Sequence, residues 1–260
     1  MQYIKFVSTI AQREIIRYVR DRSRIVATFF QPLMFLFIFG TGLRDPISSG
    51  NLGVDFIKFM YPGIIAMNVM GISFFSSIST VWDREFGFLK EILVAPVPRS
   101  TIVLGKALGA MAIASIQASI LLLISPLIKI SLSFSVVVEL FLIMLILSFA
   151  ISGMSLLISA LMRSVESFGV LMQLFIFPMF FLSGAFFPLT SVPKWMEILS
   201  RLDPLTYGVD AMRQVMLGSQ AERAALEKLV LHPVYIDIIF LLSFSLVMVG
   251  VSILAFRKKD

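Results

Sequence analysis

The residues best suited to chemistry are gathered in one charged stretch, REFGFLKEILVAPVPRSTIVLGK, from Arg84 to Lys106, inside a chain that is otherwise largely Leu, Ile, Phe, Met and Val. Placed on a helix from Asp83 to Leu93, Phe86, Leu89 and Leu93 form one face with Arg84 and Glu91 opposite, and Phe88 and Ile92 form a second, smaller apolar patch. One face can rest on the protein's own helices while the other fills a groove on a cytoplasmic partner, flanked by Arg84, Glu85 and Glu91. Gly87, unfavourable inside a helix, permits close approach of another backbone. Pro96 and Pro98 stop the helix, and Arg99 and Ser100 lead the chain back to an apolar run. This is chemistry of recognition. Cysteine is absent, which excludes disulfides and thiolate metal sites. The lone His232, beside Pro233, has no His or Cys partner for a metal and reads as an interfacial histidine, so no metal site is expected. A membrane-embedded enzyme would require clustered His, Asp or Glu, and no such cluster is visible along the chain.

The elements that position this stretch follow from composition. Of 260 residues, 58% are hydrophobic and 15% charged, against roughly 45–50% and about 25% for a soluble domain. The apolar residues fall in runs of about 20, enough to cross roughly 30 Å of hydrocarbon as helix. The expected fold is an all-α membrane protein, a single unit over residues 1–260, with six spans: Ile25 to Leu43, Phe59 to Trp82, Ile102 to Ile128, Val136 to Leu161, Phe168 to Phe187 and Val234 to Phe256. With both termini on one side, every basic residue except Arg44, Lys58, Lys129, Lys194, Arg201, Arg213, Arg223 and Lys228, 14 of 22, lies on that side. The positive-inside rule makes it the cytoplasmic side of a multi-pass plasma-membrane protein. The net charge of +6 is thereby assigned to helix ends and anionic headgroups, with no nucleic-acid partner implied.

The opening segment, residues 1–23, is too charged to be a secretory signal. Tyr3, Ile4, Val7, Ile10, Ala11 and Tyr18 share a side with Lys5, Gln12, Arg13 and Arg20 opposite, interrupted by Glu14 and Ile16, which predicts an amphipathic helix in the cytoplasmic interface of the lipid bilayer. Residues 188–233 form a long external segment. There Ser191 with Pro193, and Asp203 with Pro204, mark helix starts, Gly218 marks a stop, and SQAERAALEKLVL a third short amphipathic helix. Trp195, Ile198, Leu199 and Leu202 suit helices that re-enter the outer leaflet and cap the bundle.

Two motifs are similar to those of a known family. The order Arg84-Glu85, apolar helix, Glu91-Ile92-Leu93, Pro96, Pro98-Arg99, then Gly105-Lys106 opening a span resembles the cytoplasmic coupling region, residues 83–101 here, of type-2 ATP-binding-cassette exporter permeases. DPLTYGVDAMR, preceded by FLSGAFFPLTSVPKWM, resembles that family's segment between the last two spans, and the likeness extends over essentially the whole chain. The resemblance implies a transport subunit rather than an enzyme. It implies a second permease copy, the same chain or a close paralogue, and two cytoplasmic ATPase subunits that hold ATP and Mg²⁺; no cofactor is expected on this chain. It puts Glu85 and Glu91 at acidic coupling positions, Pro96, Gly105 and Lys106 at the exit, and Pro204, Leu205, Tyr207 and Arg213 in the re-entrant motif. The sequence contains no G-x-x-x-x-G-K-[ST] phosphate loop.

In such a family the second and fifth spans line the path between protomers. Here that points to Asn68 and Phe74, with Ser73, Ser76 and Ser77 nearby, and to Met172, Gln173, Phe177, Phe180 and Phe181. Phe and Met supply adaptable contact area, which suits export of a drug, antibiotic or lipid from a prokaryotic cell. Lipid-linked polysaccharide is the alternative cargo. A secondary transporter would require ionisable groups in mid-membrane, and only Glu139 approaches that, near the end of a span.

Overall fold

A computed structural model describes residues 2–42, 55–88, 98–128, 130, 132–218 and 229–257. Among the described residues there are nine α-helices and no strand: α1 Gln2–Arg20, α2 Arg22–Gly42, α3 Phe56–Glu85, α4 Arg99–Ile124 with a 3₁₀ turn Ser125–Ile128, α5 Phe134–Leu161, α6 Val165–Leu182, α7 Lys194–Ser200, α8 Pro204–Leu217 and α9 Val234–Arg257. Six of them, α2 to α6 and α9, are long and apolar enough to cross a membrane. The six expected spans are therefore present.

Local chemistry sets the ends. Asp55, Ser133 and Ser164 each accept a backbone N–H of the first turn of α3, α5 and α6, through Ile57, Val136 and Ser167. Asp203 caps α8 through the Leu205 N–H, with Pro204 in the first position, and Gly218 closes α8 by donating to the Gln214 carbonyl at 2.8 Å. Three expectations change. The fifth span ends at Leu182 rather than Phe187, because the chain turns through Gly184 at φ +71°. The helix expected from Ser191 begins only at Lys194, with Pro193 as its cap, Ser191 lying in a separate 3₁₀ turn. The connecting helix expected over Asp83 to Leu93 is broken: α3 runs through to Glu85, and Gly87 takes φ +78°, a left-handed conformation that a side chain would strain. Most of the third external helix, residues 219–228, and residues 89–97 of the charged stretch lie outside the described residues.

α3 is the central span. Of its window 78% is buried, against 6% for α2 and 17% for α6, so α3 packs among α4, α5 and α8 while α2 and α6 stay peripheral. Tyr61, Ile65, Met70 and Phe74 of α3 share a core with Leu147 and Ile151 of α5 and Leu205 and Met212 of α8. Lipid is as apolar as these side chains, so packing and polar contacts between helices hold the spans together. Ser73 and Ser148 share a hydrogen bond of 2.8 Å, Ser77 pairs with Ser155, and the Tyr61 hydroxyl donates to the Leu121 carbonyl. Such bonds contribute on the order of 0.6 kcal/mol each.

Candidate functional site

At the end of the bundle that carries α1, the start of α4 and the ends of α3, α5 and α9, a charged cluster is buried. α1 lies directly on α4 because Gly105 and Gly109, one turn apart, have no side chain: a Cβ at Gly105 would lie 2.7 Å from Ile10 Cβ, and one at Gly109 2.9 Å from Glu14 Cβ. Between them Lys106 points inward, its Nζ 3.1 Å from Glu14 Oε1, 2.9 Å from Asp83 Oδ2 and 2.9 Å from Ser79 Oγ. Arg13 donates to Asp83 Oδ1 at 3.0 Å, with Arg17 at 3.6 Å. Glu14, Asp83 and Lys106 are all at most 5% exposed, so each charge depends on its partners for the solvation it has lost. Glu14, which interrupts the apolar side of α1 in sequence, is thus the residue through which α1 grips α4, while Arg13 and Arg17 hold α1 to Asp83 of α3. That interruption was the readable signal; Asp83 gave none.

The charged stretch begins with two side chains that bind the neighbouring helices. The Arg84 guanidinium donates to the carbonyls of Ser159, Ala160 and Met162 at 2.8, 3.0 and 2.6 Å, closing the C-terminal end of α5. Glu85 Oε2 accepts the Val165 N–H at the first residue of α6, at 2.9 Å. Arg99, at the start of α4, donates to Phe256 O of α9 at 2.7 Å. With the helix broken at Gly87, Phe86 turns outward, 81% exposed, instead of resting on the bundle, while Phe88 is 45% exposed with the Arg13 guanidinium 4.8 Å from its ring centroid. Glu91, Ile92 and Pro96 lie outside the described residues.

The residues expected to line a path divide. Phe74 and Met172 are core, and Ser73 and Ser77 bind α5. Asn68 donates to Thr28 O at 3.0 Å and borders a cleft of about 90 Å³ between α2, α3 and α6. Gln173, Phe177 and Phe181 are exposed. Phe177, Phe180 and Phe181 border a recess of about 440 Å³ together with Gln31, Phe35, Phe39 and Phe186, in which Phe180 and Phe186 lie 4.8 Å apart between ring centroids. The α2 side of this recess, Phe35 and Phe39 stacked at 5.6 Å, was not among the expected residues; its Phe-x-x-x-Phe spacing was the available signal.

At the opposite end, α8 is buried against α3, α5 and α9. Leu205 and Tyr207 are buried, and the Tyr207 hydroxyl donates to Arg201 O at 2.8 Å. Arg213 donates to Gly184 O at 2.7 Å and stacks 3.9 Å over the Phe59 ring, locking α8 to α3; burial lowers its guanidinium to about 10. Burial likewise raises the Asp203 carboxyl to about 8, against the opposing pull of the Leu205 N–H and Thr206 hydroxyl it accepts. Trp195, Ile198, Leu199 and Leu202 of the α7 region face outward, 44–71% exposed, an apolar surface at the end of the bundle opposite the charged cluster.

A profile described as ABC-2 type transporter matches residues 5–217, which takes in α1 to α8. The chain is 28% identical over 214 residues to the ycf38 protein of Cyanophora paradoxa, whose name designates a transport permease, covering 81% of this chain and 74% of that protein. It is 30% identical over 199 residues to nodulation protein J of Rhizobium meliloti (strain 1021), covering 76% and 75%. It is 31% identical over 169 residues to the probable multidrug ABC transporter permease YbhR of Escherichia coli (strain K12), covering 64% of this chain and 46% of that protein. Six helices long and apolar enough to cross a membrane, five of them within the matched residues, accord with that match, and the chain belongs to the ABC-2 type transporter family as a multi-pass membrane permease of an ABC transporter.

Proposed function

We propose that this permease forms half of an export path for an apolar or amphipathic cargo, a drug, antibiotic or lipid, in the plasma membrane of a prokaryote. The observation that carries the reading is the aromatic recess between α2 and α6, bordered by five Phe and one Gln on these two least buried of the six spans and by Phe186 and Phe187 just after α6. A surface of mobile rings with one amide offers area without fixed hydrogen-bond geometry, which favours varied apolar ligands over a small polar one. A second permease copy facing this side would convert the open recess into a shared path. The multidrug name of YbhR agrees with such a cargo.

The energy comes from ATPase subunits on separate chains, two per complex, which bring ATP and Mg²⁺ and grip the basic end at the turn after α3. That end faces the cytoplasm, in keeping with its excess of Lys and Arg. The buried ionisable residues at this end are paired with one another, which suits a structural joint better than the proton relay of a secondary transporter.

The test is ATP hydrolysis by the reconstituted complex. Phe177→Ala and Phe181→Ala, both exposed in the single chain, are expected to change which compounds stimulate hydrolysis while leaving the basal rate within about twofold. Equal loss for every compound together with loss of the complex would assign these rings to packing, and stimulation by lipid-linked polysaccharide alone would reassign the cargo.

A further inference from the structure

At the external end, a residue from α8, one from the loop before α9 and one from α9 bring their ligating atoms within 4.8 Å of one another: Asp210, His232 and Asp237. Asp210 and Asp237 are 3% and 0% exposed. Among the described residues neither carboxylate forms an ion pair with a lysine or arginine, and nearby Arg213 uses its guanidinium on Gly184 O and the Phe59 ring. Two carboxylates buried with no lysine or arginine at ion-pair distance favour a bound cation or a proton.

The polar contacts around them leave a defined gap. Asp210 Oδ2 accepts the Leu231 and His232 N–H groups at 3.0 and 3.1 Å, which fixes the loop that carries His232. The Gln214 amide reaches Asp210 Oδ2, Asp237 Oδ2 and His232 O at 3.3, 3.2 and 2.7 Å. Asp237 Oδ1 and His232 Nδ1 remain buried with no hydrogen-bond partner, 3.9 Å apart. That distance is too long for a hydrogen bond. It is close to the separation of two donors on one tetrahedral ion, roughly 3.3–3.6 Å for bonds of about 2.0–2.2 Å. The His232 ring is held in place by stacking on Tyr207, which stacks on Phe240 at 3.7 Å.

We infer that Asp210, His232 and Asp237 form a divalent-cation site of the zinc class, with His232 Nδ1 and one oxygen of each carboxylate as ligands. One imidazole with two carboxylates satisfies the nitrogen and oxygen preferences of Zn²⁺, and a dication neutralises the two buried charges. Bringing the widest pair, up to 4.8 Å apart, onto one tetrahedral ion requires a contraction of somewhat over about 1 Å, supplied by rotation of the carboxylates and of the imidazole together. Occupied, the site ties α8 to the first turn of α9 and so fixes the re-entrant helix from the external side. It does not depend on the identity of the cargo.

The experiment titrates the full-length permease in nanodiscs with Zn²⁺ after chelator treatment, reading bound metal per chain and the midpoint of thermal unfolding. Wild type is expected to bind one Zn²⁺ per chain and to unfold at a higher temperature with it. His232→Gln and Asp237→Asn, which keep size and hydrogen-bonding capacity, are expected to bind at least about tenfold more weakly, while Glu139→Gln, an exposed carboxylate on α5, binds as wild type. Absence of stoichiometric binding in wild type, or equal binding by the His232 and Asp237 variants, would overturn the site. So would a thermal midpoint that rises on acidification from pH 7 to 5 and ignores Zn²⁺, which would make the occupant a proton.

Discussion

Lys106 sits where two carboxylates from different helices converge, and its removal isolates Glu14 while leaving Asp83 with Arg13 and Arg17. Lys106→Met is expected to destabilise the permease by about 3–5 kcal/mol, the cost of breaking a buried ion pair from one side, because Glu14 loses its only ion-pair partner among the described residues. Adding Glu14→Gln is expected to restore part of that loss. Thermal unfolding in nanodiscs measures both, and a wild-type midpoint for Lys106→Met would contradict the pairing. Asp203 carries a different signature. Its folded-state carboxyl is raised to about 8 from an ordinary 3.8, so the neutral form is favoured in the fold. The contribution is fully present below about pH 4 and is lost as pH rises towards 8. Hydrogen-exchange protection of the first turn of α8 should therefore be stronger at pH 6 than at pH 9, and Asp203→Asn, which still caps, should abolish the difference. Equal pH dependence in the variant would move the effect to another group.

The crossing of α1 on α4 depends on two missing side chains. A Leu at Gly109 would collide with Glu14 Cβ and with the Ala11 carbonyl at 3.2 Å, so Gly109→Leu is expected to lift α1 and lower its hydrogen-exchange protection by at least about tenfold. Gly250→Leu on α9, where a Cβ meets nothing within 4 Å, is the control expected to leave α1 unchanged. Unchanged protection in both would remove the close crossing. Elements of this kind were unevenly legible in the sequence. The spans were readable because length and hydropathy alone decide them, and Asp203-Pro204 and Gly218 marked both ends of α8. The pinning of α1 was not, since a lone Glu14 on an apolar face does not name the Lys106 that meets it from α4. The same holds for His232: a search for His or Cys partners could not find carboxylates that the fold brings from α8 and α9. Arg84 and Glu85 read as docking charges because their spacing is compatible with an exposed helix face. In the fold they stand in the last turn of α3 and bind the ends of α5 and α6, contacts that no spacing in the sequence displays.

For the whole molecule, these joints connect the last turn of α3 to four other helices: Asp83 to α1 and α4, Arg84 to α5, and Glu85 to α6. A force applied there by a bound ATPase would reach the central span and, through direct contacts, α1, α4, α5 and α6, which is the physical content of coupling. Among the described residues, the two rings beyond the joints, Phe86 and Phe88, are exposed groups available to meet the partner. Covering the rest of Phe88 contributes on the order of 1 kcal/mol, and an aspartate there adds the cost of burying a charge, which together weaken assembly by at least about tenfold. The most direct measurement is therefore co-purification of the cognate ATPase with Phe88→Asp permease in nanodiscs, alongside the thermal midpoint of the permease alone. The expected result is a permease of wild-type stability that retains at most about a tenth of the ATPase affinity and loses cargo-stimulated hydrolysis. Wild-type affinity and stimulation in this variant would contradict the grip at the turn after α3.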